Sequence, residues 1–279
     1  MKMITVLLFL LLIVSCASGK QNAYTGSTPA DAVIRSFLSI PLSDSVDFIR
    51  WQLTLKDNSY MLNCNYGIGK PNTNGFINGG KKIAISGALH KEKNNYHLHN
   101  ESKILKLAEL NNDLLHLLDE NSHLLVGNGG WSYTLNNLTP SVTDQINITA
   151  HQTVFKDSMA YEGRTPCAVP GVIPAGKLCY KLKWHIILYA GTANNEAGNY
   201  RMYGTPYRKQ GGRTGNWKIT TGKNGRIIYQ LNDEKGDGFI FLLKLDEQVL
   251  IFTDVSGKLL VGNEDFSYTL NRITRTEAK

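Results

Sequence analysis

The feature that most constrains the fold of this chain is an internal repeat. The stretch "LLVGNGGWSYTLN" at residues 124–136 recurs as "LLVGNEDFSYTLN" at residues 259–271, and ten of the thirteen positions are identical. Shared strand composition alone would not give this agreement 135 residues apart. The agreement indicates an internal repeat, which has to be defined before individual strands and helices are assigned.

The correspondence extends upstream of the shared ending. "IRWQLTL" matches "LKWHIIL", which places Trp51 opposite Trp184, and Asp119 falls on Asp254. The openings also agree, since "AYTGSTPA" corresponds to "AYEGRTPC". The repeat therefore covers whole units and not a single motif.

The repeat divides the chain into two homologous units. They are predicted at residues 24–138 and 161–273, joined by a polar, β-branched linker at 139–160 and followed by a tail at 274–279. A unit of about 115 residues is long enough to bury its own core. The sequence therefore predicts tandem domains and not a solenoid.

Both units have the pattern of an all-β fold. Short runs such as "RWQLTL", "NYHLHN", "KWHIILY" and "RIIYQLN" alternate apolar and polar residues and are separated by Asn, Asp and Gly. "ILKLAELNNDLLHLL" has ambiguous spacing, but its counterpart "FIFLLKLDEQVLIF" is rich in β-branched and aromatic residues and favours strands. Seven or eight strands per unit predict two small antiparallel up-and-down barrels, with a sandwich as the alternative. In this interpretation "LLVGN…SYTLN" closes each barrel.

The first residues have the pattern of a lipoprotein signal peptide. Lys2 precedes the apolar run "ITVLLFLLLIV", which is shorter than the roughly 20 residues that a membrane-spanning helix needs. The run ends in "IVSC", which resembles the lipobox of bacterial lipoproteins, so residues 1–15 are the expected signal peptide and Cys16 the expected lipidation site. An ordinary secretory signal is the alternative. Residues 16–23 are then a lipidated tether, and Ala17 after the cysteine favours the outer membrane.

Charge is distributed unevenly between the units. The net charge is +7, and residues 161–230 contain eleven Lys or Arg against two acidic residues, whereas residues 24–138 contain ten of each. A basic face attracts anions, which in an envelope are lipid phosphates and acidic glycans more often than nucleic acid. A solvated face without a partner is the alternative.

The second unit resembles the N-terminal barrel domain of NlpE, the family of copper-resistance envelope lipoproteins. The resemblance rests on a "Y-x-G-x-x-P-C-A" opening, a following "P-G", a "G-x-W" strand and a closing "Y-x-L". It implies a lipocalin-like β-barrel and a role in metal stress or surface sensing at the envelope. The residues that carry it are Tyr161, Gly163, Pro166, Cys167, Ala168, Pro170, Gly171, Tyr200, Gly215, Trp217, Leu250, Asp254, Gly257, Tyr268 and Leu270.

One departure from the family pattern concerns copper. The family motif is Pro-Cys-Ala-x-Cys-Pro-Gly, whereas residues 166–171 read "PCAVPG" and lack the second cysteine. The first unit has Ala30 at the position of the first cysteine. A pair of thiolates can bind Cu(I), but one thiolate is a poor site. We therefore do not expect this chain to share the copper binding of that family. It also differs in its second unit, which repeats the first, whereas the family has a different small barrel as its second domain.

The cysteines and histidines give few candidate sites. Cys167 and Cys179 flank a loop rich in Pro and Gly, and an oxidising envelope favours a disulfide between them. Cys64 is expected to be a buried thiol. His97 and His99 are two residues apart on a predicted strand and face the same side, which makes them weak metal candidates. The alternative, an exposed polar face, is favoured because the second unit has Gln and Asn there.

No catalytic motif is present in the sequence. A nucleophile elbow, a His-Glu-x-x-His motif and a phosphate-binding loop are all missing, so no catalytic residue and no cofactor are expected. We expect a non-catalytic binding or sensing lipoprotein, partnered by the membrane through its anchor and by envelope proteins or a small ligand, and not by nucleic acid. The alternatives are a structural adaptor with filled barrels that binds protein partners, and a carrier of a small hydrophobic ligand.

Overall fold

Two closed barrels in tandem form the protein. The structure is a computed structural model that describes residues 21–141, 146–147, 157–173, 178–191 and 197–273, without the side chains of residues 209, 210 and 224. The predicted signal peptide, Cys16 and the tail at 274–279 lie outside these ranges. Each barrel has eight antiparallel strands that follow one another in chain order around the ring. The prediction of tandem up-and-down barrels is therefore confirmed, and the sandwich is wrong.

Each barrel is built from strands of four to twelve residues. The first contains β1 Gln21–Thr28, α1 Ala32–Leu38, β2 Phe48–Lys56, β3 Ser59–Gly67, β4 Lys81–Glu92, β5 Asn95–Asn100, β6 Lys103–Asn111, β7 Leu114–Leu117 and β8 Thr134–Asn137. The second contains β9 Ser158–Thr165, β10 Leu182–Ala190, β11 Ala197–Gly204, β12 Arg213–Thr221, β13 Ile227–Asn232, β14 Gly238–Lys244, β15 Val249–Thr253 and β16 Thr269–Ile273. Short 3₁₀ turns lie at Ile77–Gly79, Thr205–Gln210 and Lys223–Gly225.

The two units superpose in the way that the repeat predicts. Trp51 lies opposite Gly26 in the first barrel, and Trp184 lies opposite Gly163 in the second. Each indole nitrogen donates to the hydroxyl of a threonine at the end of the preceding strand, Thr28 at 2.8 Å and Thr165 at 2.9 Å. The match of Asp119 with Asp254 is also confirmed, because both begin the same backbone-bonded turn.

The ends of the units differ from the predicted bounds. β1 begins at Gln21, inside the segment expected to be a tether, and β9 begins at Ser158, inside the expected linker. Both openings, "AYTGST" and "AYEGRT", are first strands that close the barrels against β8 and β16. The alternation in these openings is obscured by Gly and Thr, which is why a strand is not evident in the sequence.

Helix α1 was not predicted. Asp31 caps it by accepting from the backbone N–H of Ile34 at 2.9 Å, and its buried residues Ile34, Phe37 and Leu38 join the core of the first barrel. In the second barrel the corresponding stretch is a loop in which Val169 is buried in the core and Cys167 is bonded to Cys179. One barrel is therefore plugged by a helix and its sister by a disulfide-linked loop.

The repeated ending joins the two barrels to each other. The backbone N–H of Gly127 donates to Oδ1 of Asn271 at 2.6 Å, and that of Gly262 donates to Oδ1 of Asn136 at 2.7 Å. Both glycines are required, because an added Cβ would lie 2.3 Å from the carbonyl oxygen of Trp131 or 2.2 Å from that of Phe266, and would also crowd the asparagine. The two bonds join equivalent residues of the repeat, with the donor in one unit and the acceptor in the other in each case.

Two pairs of equivalent hydroxyls also meet between the barrels. Ser132 bonds to Ser267 at 2.6 Å and Thr134 bonds to Thr269 at 2.9 Å, with 135 residues between the members of each pair. Residues that contact their own counterparts lie on a two-fold axis, as in an isologous dimer interface. The chain is thus a pseudo-symmetric dimer of barrels in one polypeptide.

An apolar layer completes the interface. It buries leucines and β-branched residues from the outer faces of β6, β7, β14 and β15, together with the segment that follows β15. This cluster consists of Ala108, Leu110, Leu114, Leu118, Leu243, Leu245, Val249, Ile251 and Leu259. The continuous apolar runs "LLHLL" and "VLIFT" follow from this arrangement, because these strands are covered on both faces.

His116 is a buried titratable group beside this interface, because its partner Thr134 bonds to Thr269 of the other unit. Its Nε2 lies 2.9 Å from the carbonyl of Leu125, which can only accept, so Nε2 carries the proton. Nδ1 then accepts from the hydroxyl of Thr134 at 2.9 Å. The ring is fully buried, and burial lowers the pKa of His116 from 6.5 to about 4.

Acidification should therefore weaken the fold through His116. A histidine whose pKa is lower in the folded state binds protons more strongly when the chain is unfolded. The stability that neutral, buried His116 contributes is therefore fully present above its unfolded pKa of 6.5 and is lost as the pH falls toward its folded pKa of about 4. At pH 5 the loss amounts to about 2 kcal/mol. His116→Ile, which introduces the residue found at the equivalent Ile251, should remove this part of the pH dependence.

The measurement is urea unfolding at several pH values between neutrality and pH 5. His90→Gln, a change at an exposed histidine, serves as the control. Its free energy of unfolding should depend on pH with the same slope as that of the wild type. Equal slopes for wild type and His116→Ile would show that His116 does not titrate as described.

Candidate functional site

The barrel interiors are occupied by side chains. In the first, Tyr24, Trp51 and Tyr60 are at most 1% exposed and belong to a single cluster with the inward leucines of β2, β3, β5 and β6. In the second, Tyr161, Tyr200 and Tyr229 have the same role. An eight-stranded barrel is just wide enough for side chains to fill. The interiors are therefore cores, and a functional site has to be sought outside them.

A large depression lies on the outside of the second barrel. It measures about 680 Å³ and is lined by residues of β10, β11 and β12, among them Tyr189 and Arg201. It is shallow, and it borders residues 192–196, which lie outside the described ranges. Arg201 is the one charged side chain among its described lining residues, whereas the cleft between the barrels has several.

The candidate site is a cleft between the barrels, where the pseudo-two-fold axis reaches the surface. It has a volume of about 210 Å³. Trp131 of the first unit and its counterpart Phe266 of the second both line it, and so do the equivalent residues Phe48 and Lys181. A cleft lined by both members of such pairs needs both barrels.

Stacked aromatic rings form the wall that the first barrel contributes. Phe48 stacks on Phe76 with ring centroids 4.2 Å apart and on Trp131 at 4.7 Å. Phe48 and Phe76 are buried, whereas Trp131 is half-buried. This wall is rigid because each ring is held by its neighbour.

The second barrel contributes two cations. The guanidinium of Arg164, on β9, lies 5.2 Å from the centre of the Trp131 ring, and Nζ of Lys181 lies 5.2 Å from the centre of the Phe266 ring. Desolvation lowers the pKa of both groups, and the charge of Arg164 lowers that of Lys181 further. In the described ranges neither cation has a hydrogen bond or an ion pair to a protein group.

The carboxylates near the cleft are already engaged. Asp265 pairs with Arg50 and accepts from the Asn74 amide at 2.6 Å. Asp47, at the rim, accepts from the backbone N–H of Gly69 at 2.7 Å. The Asp265–Arg50 pair is neutral, and the rest of the lining carries Lys70, Arg164 and Lys181 against Asp47, so the cleft is positive.

His97 and His99 lie on β5, as predicted, and both are half-buried on its outer side. The neighbour across the sheet is His90, whose ring centre is 6.2 Å from that of His97. Desolvation is the largest cause of the lowered pKa of His97. Among the described residues, no group of three or more His, Cys, Asp or Glu side chains is placed to hold a metal ion.

The predicted disulfide between Cys167 and Cys179 is present, with Cα atoms 6.0 Å apart. Cys64 is a buried free thiol on β3, and burial raises its pKa. No accessible thiolate therefore remains among these three cysteines.

The residues of the proposed family motif have structural positions in the second barrel. Tyr161 and Gly163 lie on β9, and Trp217, on β12, donates its indole N–H to the carbonyl of Tyr189 at 2.8 Å. Pro166, Cys167, Pro170 and Gly171 lie in the loop that follows β9, where Gly171 adopts a φ of 72°. These residues shape a barrel and its plug, and they do not converge on the cleft.

The cleft residues were not singled out from the sequence. The signal is a difference between the two copies: Arg164 stands where the first unit has Ser27, and Lys181 stands where it has Phe48. A comparison of charge at each pair of equivalent positions would have identified both cations. Only the structure, however, places Arg164 against Trp131 of the other unit and Lys181 against Phe266 of its own.

Comparison with family models, curated proteins and solved structures finds no match to this chain. In the described ranges no helix has the length and hydropathy needed to cross a bilayer.

The cysteine geometry generates a prediction about copper. The oxidised protein should bind Cu(I) no more tightly than a variant in which Cys64, Cys167 and Cys179 are all serine, because two sulfurs form the disulfide and the third is buried. Competition against a colorimetric Cu(I) chelator measures this. Stoichiometric binding that disappears in Cys167→Ser would contradict it.

Proposed function

We propose that this protein is a non-catalytic envelope lipoprotein that binds its partners at its outer surface. The observation that carries the proposal is the filling of both barrel interiors, since a carrier of a hydrophobic ligand needs an interior cavity of several hundred Å³. Among the alternatives raised by the sequence, an adaptor with filled barrels fits best. The resemblance to the NlpE family adds a sensing role at the envelope to this proposal, without copper.

The joined barrels support an adaptor role. Hydrogen bonds from both copies of the repeat and a shared apolar layer hold the units together. Such an interface presents the surface residues of both barrels in one fixed arrangement. A tether at the start of the first barrel would hold this body at a membrane and leave its surface available to partners.

The filled interiors generate one prediction. N-phenyl-1-naphthylamine, a neutral apolar fluorophore, should show no saturable binding to the native protein, because the barrels offer no space for it. The measurement is a fluorescence titration. Stoichiometric binding that is weakened by Tyr60→Trp, which would crowd the first interior, would contradict the proposal and favour a carrier of hydrophobic ligands.

The anchor generates another prediction. Cys16→Ala should release the protein from the membrane fraction, because it removes the only thiol of the lipobox-like sequence. Ser18→Ala, in the expected tether, is the control and should remain membrane-bound. Fractionation of the envelope followed by immunoblotting measures both. A Cys16→Ala protein that stays in the membrane fraction with unchanged mobility would show that the anchor is not a lipid on this residue.

A further inference from the structure

We infer that the cleft between the barrels binds a small organic anion, with Arg164 and Lys181 as its charged ligands. This inference rests on the proposed function, in which binding takes place outside the barrels, and it specifies the site and the chemical class of ligand.

The charges are the first part of the argument. Both cations line the same cleft and both are partly desolvated, and the charge of Arg164 also lowers the pKa of Lys181. Neither cation has an ion pair in the described ranges, because Asp265, the carboxylate that attracts Lys181, is already paired with Arg50. Two like charges held together at a partly buried site are relieved by an anion placed between them.

The positions of these cations in the repeat are the second part. The first barrel has Ser27 and Phe48 at the equivalent positions and folds in the same way. In that barrel Ser27 donates to the carbonyl of Glu264 at 2.7 Å, a contact to the other unit that needs no charge. A positive charge is therefore not needed at either position to build the barrel or the interface. The second unit thus carries two positive charges, Arg164 and Lys181, that the barrel fold does not require.

The shape of the cleft limits the size and character of the ligand. A volume of about 210 Å³ is below that of a pocket for a drug-sized ligand and matches a small molecule such as a single substituted ring. Phe48, Trp131 and Phe266 give it apolar surface, which a bare inorganic ion would not use. A guanidinium pairs well with either carboxylate or phosphate oxygens. The ligand class is therefore a monocyclic molecule, such as a sugar or an aromatic acid, that carries a carboxylate or a phosphate.

The repeat supplies matched variants for the test. Arg164→Ser and Lys181→Phe each introduce the residue that the sister barrel carries at that position, so the fold should be retained, which circular dichroism can check. Lys218→Gln removes an equal charge from an exposed position on β12 that does not line the cleft. It controls for the general loss of positive charge.

Isothermal titration calorimetry of the purified full chain with glucose 6-phosphate, glucuronate, benzoate and inorganic phosphate provides the affinities, and glucose serves as the neutral control. We expect at least one organic anion to bind more tightly than inorganic phosphate, and glucose not to bind. Arg164→Ser and Lys181→Phe should each weaken that binding at least about tenfold, as expected for a lost charge-assisted contact. Lys218→Gln should leave it within about twofold.

A second measurement needs no variant in the ligand shell. The indole N–H resonance of Trp131 should shift on addition of the bound anion, whereas those of the buried Trp51, Trp184 and Trp217 should not. The inference is overturned if no organic anion binds, or if binding leaves Trp131 unshifted and is insensitive to both cleft variants. If no organic anion binds and the neutral apolar probe does not bind either, only the anion inference is wrong and the proposed surface-binding function stands. If the probe binds saturably, the proposed surface-binding function is wrong as well.

Discussion

The crossed bonds between Gly127 and Asn271 and between Gly262 and Asn136 are the contacts on which the rest of the structure depends. Each uses a backbone N–H that has to be satisfied once it is buried, and each needs a glycine because the backbone of its own turn and the asparagine leave no space for a Cβ. Because both copies of the repeat make the same bond, the constraint acts twice. It explains why this stretch has diverged least between the units: it closes each barrel and also joins it to the other.

The two-fold arrangement has a further consequence at the surface. The pair Trp131 and Phe266 brings equivalent positions from both units to one cleft. Where the copies have diverged, equivalent positions differ in character, so that one wall of the cleft has the aromatic Phe48 and the other has the cationic Lys181. A duplicated domain can thus develop an asymmetric site at its axis while the barrels themselves remain alike.

Much of this fold could be predicted from the sequence because the two copies constrain each other. The ambiguous "ILKLAELNNDLLHLL" was resolved by the β-rich counterpart, and β6 and β7 lie where the repeat placed them. The same comparison concealed helix α1. Val33, Ile34, Phe37 and Leu38 have helical spacing behind the Asp31 cap, but the second copy has a Pro- and Gly-rich loop there. The helix depends on local capping and burial, which only one copy provides.

The interface was less predictable than the barrels. The runs "LLHLL" and "VLIFT" do indicate strands covered on both faces, but nothing in the sequence specifies that each covers the other. The cleft depends on that docking, so its aromatic and cationic halves are unrelated in the sequence and meet only after the barrels join. By contrast, the spacing of His97 and His99, two residues apart on one strand, is visible in the sequence, whereas the proximity of Arg164 and Trp131 is not.

Native-state hydrogen exchange in low concentrations of urea tests most directly whether the interface makes the two barrels one cooperative body. The core amides of β2 and β10 should exchange with the same free energy of opening and the same dependence on urea, because neither barrel opens without the other. Replacing both Asn136 and Asn271 by alanine should separate the two values. If the wild-type barrels already open at different free energies, each with about half the urea dependence expected for the whole chain, they are independent domains and the interface does not couple them.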